Sequence, residues 1–163
     1  MKKILYFLLF CLMLFTLTGC GKDAKIENYK ANMNQFFENL RIFDSSINAI
    51  DPNSDTATTE LLSLLDSMNT SFSQMASLEV PDSFPGVEDL AAQASEYMAE
   101  AVSYYHLEYD GEYDATMEDV ARQNYERANL RIQYIVSILH GNIPEEIYTY
   151  DDGNTSEDEF STE

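Results

Sequence analysis

The chain reads as an all-α, up-down-up-down four-helix bundle, and three observations carry that reading. Apolar residues recur at alternating steps of three and four in four stretches of the 163-residue chain, the spacing that lays one buried stripe along a helix. Short segments holding Pro, Gly, Asn and Asp separate the stretches and stop each helix. The stretches are similar in length, roughly 22 to 28 residues with turns of about five, so consecutive antiparallel helices can cover one another. No strand is needed.

The first stripe is Ile26, Tyr29, Met33, Phe36, Leu40, Phe43, Ile47 and Ile50, ended by Asp51-Pro52-Asn53. Asp55 is expected to cap the next helix, whose stripe is Leu61, Leu65, Met68, Phe72 and Met75 and which ends near Leu78. Val80 to Gly86, with prolines at 81 and 85, is predicted as a turn. The third stripe is Val87, Leu90, Ala94, Tyr97, Ala101 and Tyr104, widened by Ala91, Met98 and Tyr105, and it fades at Tyr109-Asp110-Gly111. Asp114 is the expected cap of the fourth helix, whose buried positions are Met117, Ala121, Tyr125, Ala128, Ile132, Ile135 and Leu139. Gly141 is its left-handed stop, with Pro144 beyond. The bundle is thus predicted over 26–144. Residues 145–163 hold eight acids and no Lys or Arg, a composition expected to be disordered. Sustained heptad spacing in the first helix also fits an oligomeric coiled coil. Four matching stripes joined by short turns can instead bury one another within one chain, and the spacing leaves the oligomeric state open.

Residues 1–19 are predicted as a secretory signal: Met1-Lys2-Lys3 is a basic start, and Ile4 to Leu17 is apolar except for Thr16. The run stops at Thr18-Gly19-Cys20, short of the roughly 20 apolar residues that span a bilayer. Leu17-Thr18-Gly19-Cys20 resembles the lipobox of bacterial lipoproteins. The resemblance covers the first 20 residues, and it implies cleavage between Gly19 and Cys20 and a covalent diacylglycerol on Cys20. It also implies residence on the outer face of the cell membrane, with 20–25 as a short tether. Two acyl chains hold a protein stably where one binds only reversibly. The body's overall pattern resembles small helical lipoproteins of Gram-positive bacteria, a likeness that transfers no site beyond Cys20.

The formal net charge is −20, with 29 acids against nine Lys plus Arg, and it becomes more negative when Lys2 and Lys3 leave with the signal. Nucleic acid is therefore not an expected partner, because affinity for polyphosphate comes from Lys and Arg releasing counterions. Cys11 leaves and Cys20 carries lipid, so no thiol remains for a disulfide, a metal or a nucleophile, and packing alone must hold the body.

Catalysis finds little to work with. Apart from carboxylates, the mature chain offers His106 and His140. Helical di-iron proteins place a Glu three residues before each of two histidines, and here those positions are Ser103 and Ser137. The histidines are read as structural and the chain as no enzyme. Glu108 to Asp119 holds six acids and no base, which invites a calcium loop. With Glu108 at loop position one, however, the glycine required at position six is Tyr113. No metal site is expected. Met33, Met68, Met75, Met98 and Met117 read as core filler.

Tyr97, Tyr104, Tyr105, Tyr109, Tyr113, Tyr125 and Tyr134 fall in the last two helices or their turn. Those on the stripes pack, whereas Tyr109 and Tyr113 are free to form a contact surface, where tyrosine is enriched. Lys22, Lys25 and Lys30 are the only lysines after Cys20 and are expected to seat the first helix against anionic headgroups. Alternating topology then carries the first and third turns away from the membrane. Asp51, Asp55, Tyr109, Asp110, Glu112, Tyr113 and Asp114 would share that distal tip. The expectation is a non-catalytic, membrane-anchored binding or scaffolding module whose tip meets a cationic or wall-associated protein. The alternative is a small-molecule sensor or carrier using an Ala/Tyr groove between the third and fourth helices, where Ala94, Ala101, Ala121 and Ala128 lie.

Overall fold

A computed structural model describes residues 20–109 and 115–142. Within them the chain forms four helices: α1, Cys20–Asn48; α2, Ala57–Ala76; α3, Val87–Tyr109; and α4, Ala115–Leu139. Among the described residues there is no strand. Each helix packs on the next in sequence, as an up-down-up-down bundle requires. At one end a single cavity is lined from α1, α2, α3 and α4 together. The predicted signal segment and acidic tail lie outside the described residues, as do Gly19, Asp110, Glu112, Tyr113 and Asp114.

α1 follows its predicted stripe closely. Tyr29, Met33 and Phe36 are buried, and Ile26, Leu40, Phe43 and Ile47 pack partly buried against the same core. The helix begins at Cys20, so the residues expected as a tether form its first turns. Lys22, Ala24 and Lys25 are good helix formers, and Asp23 in the first turn suits the positive end of the helix dipole.

The turn into α2 is held by its own side chains. Asp51 Oδ1 accepts from the Asn53 N–H at 3.0 Å and from Asn53 Nδ2 at 3.2 Å, and Ser54 Oγ accepts from the Thr56 N–H at 3.2 Å. The capping residue is Thr56 and not Asp55. Thr56 already has helical backbone angles (φ −101°, ψ −2°) and makes no side-chain cap. Its hydroxyl donates instead to Glu60 Oε1 at 2.6 Å.

Leu62, Leu65, Met68, Phe72 and Met75 supply the buried face of α2. Phe72, fully buried, meets Phe36 edge to face at a centroid distance of 5.3 Å. The predicted turn at 80–86 does more than reverse the chain. Its Phe84 is buried, lies 5.8 Å from the Tyr29 ring and closes the end of the core nearest Cys20. Gly86 then enters α3 at φ 78°, a left-handed conformation that glycine adopts without strain.

α3 and α4 make the most extensive helix pair. Ala94, Ala101, Ala121 and Ala128 are all fully buried, so the small side chains let the two backbones approach. The alanines themselves leave no exposed surface along the seam. Two residues inside this seam depart from the predicted stripe: Asn124 and Arg131 are buried at 4 % and 3 % exposure. The Arg131 guanidinium sits 4.9 Å from the centroid of Tyr97, and its Nε donates to Gln93 Oε1 at 3.1 Å. α4 ends as predicted at Gly141, φ 83°. The Gly141 N–H donates to Ile138 O and the Asn142 N–H to Ser137 O, both at 2.9 Å, the paired bonds of a Schellman stop.

Candidate functional site

The two histidines have structural partners. His106 Nε2 lies 3.0 Å from Asp66 Oδ1 and ties α3 to α2. His140 Nδ1 donates to the Val136 carbonyl at 2.7 Å in the last turn of α4, satisfying a carbonyl left over at a helix end. Among the described residues no three of His, Cys, Asp and Glu are grouped so as to hold a metal ion.

The end of the bundle near Cys20 holds most of the charge pairing between helix and turn. Lys25 Nζ bonds Glu79 Oε1 at 2.8 Å. That contact raises the lysine's pKa and lowers the carboxyl's. Lys30 Nζ lies 5.8 Å from the centroid of Phe84. Two of the three lysines expected to face headgroups therefore also fasten α1 to the α2–α3 turn. A cavity of about 260 Å³ lies between these elements, with Tyr29 in its wall. The Tyr29 hydroxyl is buried without a hydrogen-bond partner, and burial pushes its pKa up to about 12.

The opposite end is where three predicted tip residues can be followed. Asp51 and Asp55 are exposed on the α1–α2 turn, Asp51 being engaged with Asn53. Tyr109 is 37 % exposed and stacks on Tyr105, centroids 6.3 Å apart and planes 15° apart. The structure also places a cavity among tyrosines that the sequence assigns to packing or to the tip. Tyr105, Tyr109 and Tyr125 wall a cavity of about 320 Å³ over Ile47, Leu61 and Leu65, with Asp44, Asn48 and Glu118 also lining it. Among the described residues no Lys, Arg or His lines it. The nearby arginines are engaged on the outer surface, Arg41 with Glu38 at 3.2 Å and Arg122 with Asp119 and Glu126 at 3.0 and 2.9 Å.

Beside this cavity stands Glu108, 2 % exposed and with both carboxyl oxygens lacking a hydrogen-bond partner. Burial pushes its carboxyl above the ordinary range, and the Glu118 carboxylate pushes it further. Burial likewise raises the Tyr105 phenol, with added contributions from Tyr109, Tyr125, Glu108 and Glu118. A signal for Glu108 was present in the sequence: Val87, Ala91, Ala94, Met98, Ala101 and Tyr105 step by four and three, and the next step lands on 108. Following apolar residues alone ends the stripe one step too early.

Comparison with known proteins gives no match: no family model, no curated protein and no solved structure matches the chain.

Proposed function

We propose that the chain is a lipid-anchored, extracytoplasmic binding or scaffolding module without catalytic activity, held to the cell membrane through a diacylglycerol on Cys20. Its distal end is offered to a cationic or wall-associated protein. The observation that carries this reading is the polarity of the bundle along one continuous helix. α1 runs unbroken for 29 residues from Cys20, about 43 Å at 1.5 Å per residue. The lysines that follow Cys20 sit at the Cys20 end, exposed carboxylates occur at both ends, and the stacked pair Tyr105 and Tyr109 sits at the other. An anchor at the start of such a rod separates the two ends by more than a Debye length at physiological salt. The distal field then acts on soluble or wall-bound partners without competition from headgroups. No described helix is long and apolar enough to cross a membrane, so attachment in this reading rests on the lipid.

The test is cross-linking in cells, with fatty-acid labelling as the control for the anchor. Cys20→Ser is expected to abolish palmitate labelling and release the protein from the membrane. A triple change at the tip, Asp51→Asn, Asp55→Asn and Tyr109→Ala, is expected to leave the anchor intact and remove the cross-linked protein. Labelled Cys20→Ser protein overturns the anchor; an undiminished cross-link from the triple variant overturns the tip.

A further inference from the structure

We propose that the distal cavity between the tyrosines of α3 and α4 and the acids of α1 and α4 is a binding site for a small organic ammonium ion of about choline's size. The inference rests on the distal end being the binding end, and it adds what that end takes.

Three properties of the cavity select this class of ligand. The first is aromatic lining: Tyr105, Tyr109 and Tyr125 all contribute to the wall, and the faces of such rings attract a diffuse cation. The second is charge. Asp44 and Glu118 line the cavity and no base among the described residues does, so an anion is repelled and a cation is favoured over a neutral ligand. The third is the floor. Leu65 is buried and Ile47 and Leu61 are partly so, a lining that favours methyl or methylene groups over a hydrated inorganic ion. Two carboxylates among phenols and alkyl groups also fall short of the six to eight oxygens that calcium takes. At about 320 Å³ the space lies at the small end of the range for ligand pockets.

Glu108 is an independent indication. A buried carboxyl without a partner costs stability unless something compensates it, and here it shares a helix face with Tyr105, three residues away. Its carboxyl also lies close enough to Glu118, a lining residue, for the two to repel. Asp44, Glu108 and Glu118 together make a negative field that an entering monocation relieves. Groups kept at a cost to stability cluster at functional sites.

The test uses the full chain in uncharged maltoside micelles, titrated calorimetrically with choline and, separately, with 3,3-dimethylbutan-1-ol, its neutral isostere. Choline is expected to bind saturably at one site, and the isostere not measurably. Tyr109→Leu and Glu118→Gln, both at exposed positions and checked for parental helicity by circular dichroism, are each expected to weaken choline binding by roughly three- to thirtyfold. No saturable choline binding, equal binding of the isostere, or unchanged affinity in both variants overturns the proposal. Because the titration needs neither lipid nor a protein partner, its failure leaves the cross-linking result standing, and a failed cross-link leaves a positive titration standing.

Discussion

Phe72→Ala is expected to lower the stability of the bundle by about 3–5 kcal/mol, the usual cost of emptying a fully buried aromatic position. Phe72 has no exposed surface, and its contact with Phe36 joins α2 to α1. Met33, Met68 and Met98 of the same core are themselves fully buried, so the hole can be refilled only by shifting side chains that are already packed. With cysteines at positions 11 and 20 only, the bundle has no intrachain disulfide within 21–163 to absorb the loss. Domain stabilities are about 5–15 kcal/mol, so this single change removes a large share of the total. Urea denaturation followed by circular dichroism measures it. A midpoint shift worth under about 1 kcal/mol would mean that the four helices do not share one core.

Glu108→Gln is expected to act in the opposite direction, stabilising the protein at pH 7 by on the order of 1 kcal/mol, because the amide, although still a buried polar group, no longer carries the charge. The pH dependence identifies the cause. The folded-state pKa of Glu108 is raised above its ordinary value of 4.5, first by burial and then by Glu118 on α4. The folded protein therefore prefers the protonated acid. The destabilisation from ionising it is fully present above the folded pKa and fades as pH falls through that value toward 4.5. Parent and variant are thus expected to differ most near neutrality and to converge in mild acid. An offset that stays constant with pH would assign the effect to shape and not to charge. If choline occupies the neighbouring cavity, saturating choline narrows the neutral-pH gap, since it compensates the parent's charge and has less to compensate in the variant.

The helices were legible because each carries a continuous apolar stripe, most clearly α1, where every predicted position from Ile26 to Ile47 joins the core. What was not legible follows from the same rule. In α4 the seam runs through Ala121, Asn124, Ala128, Arg131, Ile135 and Ile138. The predicted positions Ala121, Ala128, Ile132 and Ile135 are buried, whereas Met117, Tyr125 and Leu139 are only partly so, because the polar Asn124 and Arg131 take up buried positions that an apolar pattern passes over. Arg131 is buried by lying over Tyr97 and bonding Gln93, partners on another helix that no local spacing displays. Phe84 looked like part of a turn because two prolines flank it, yet the turn folds it inward against Tyr29. Asp55 lost the capping position because Asp51 and Ser54 tighten the preceding turn around Thr56.

The candidate site divides in the same way. The tip residues Asp51, Asp55 and Tyr109 could be placed at one end from topology alone. The cavity could not, because it needs Asp44 and Glu118, 74 residues apart in sequence by their numbering, to meet across the bundle. Tyr105 and Tyr125 had been assigned to packing, and both do pack against the core. They also line the cavity, a double role that the amphipathic build of tyrosine permits.

Orientation is the central claim, and site-specific photo-cross-linking in intact cells tests it most directly. A photoreactive residue replaces either Asp82, exposed on the α2–α3 turn, or Asp55, exposed on the α1–α2 turn. The account predicts lipid adducts from position 82 and protein adducts without lipid from position 55. Lipid adducts at position 55 as abundant as those at position 82 would contradict it.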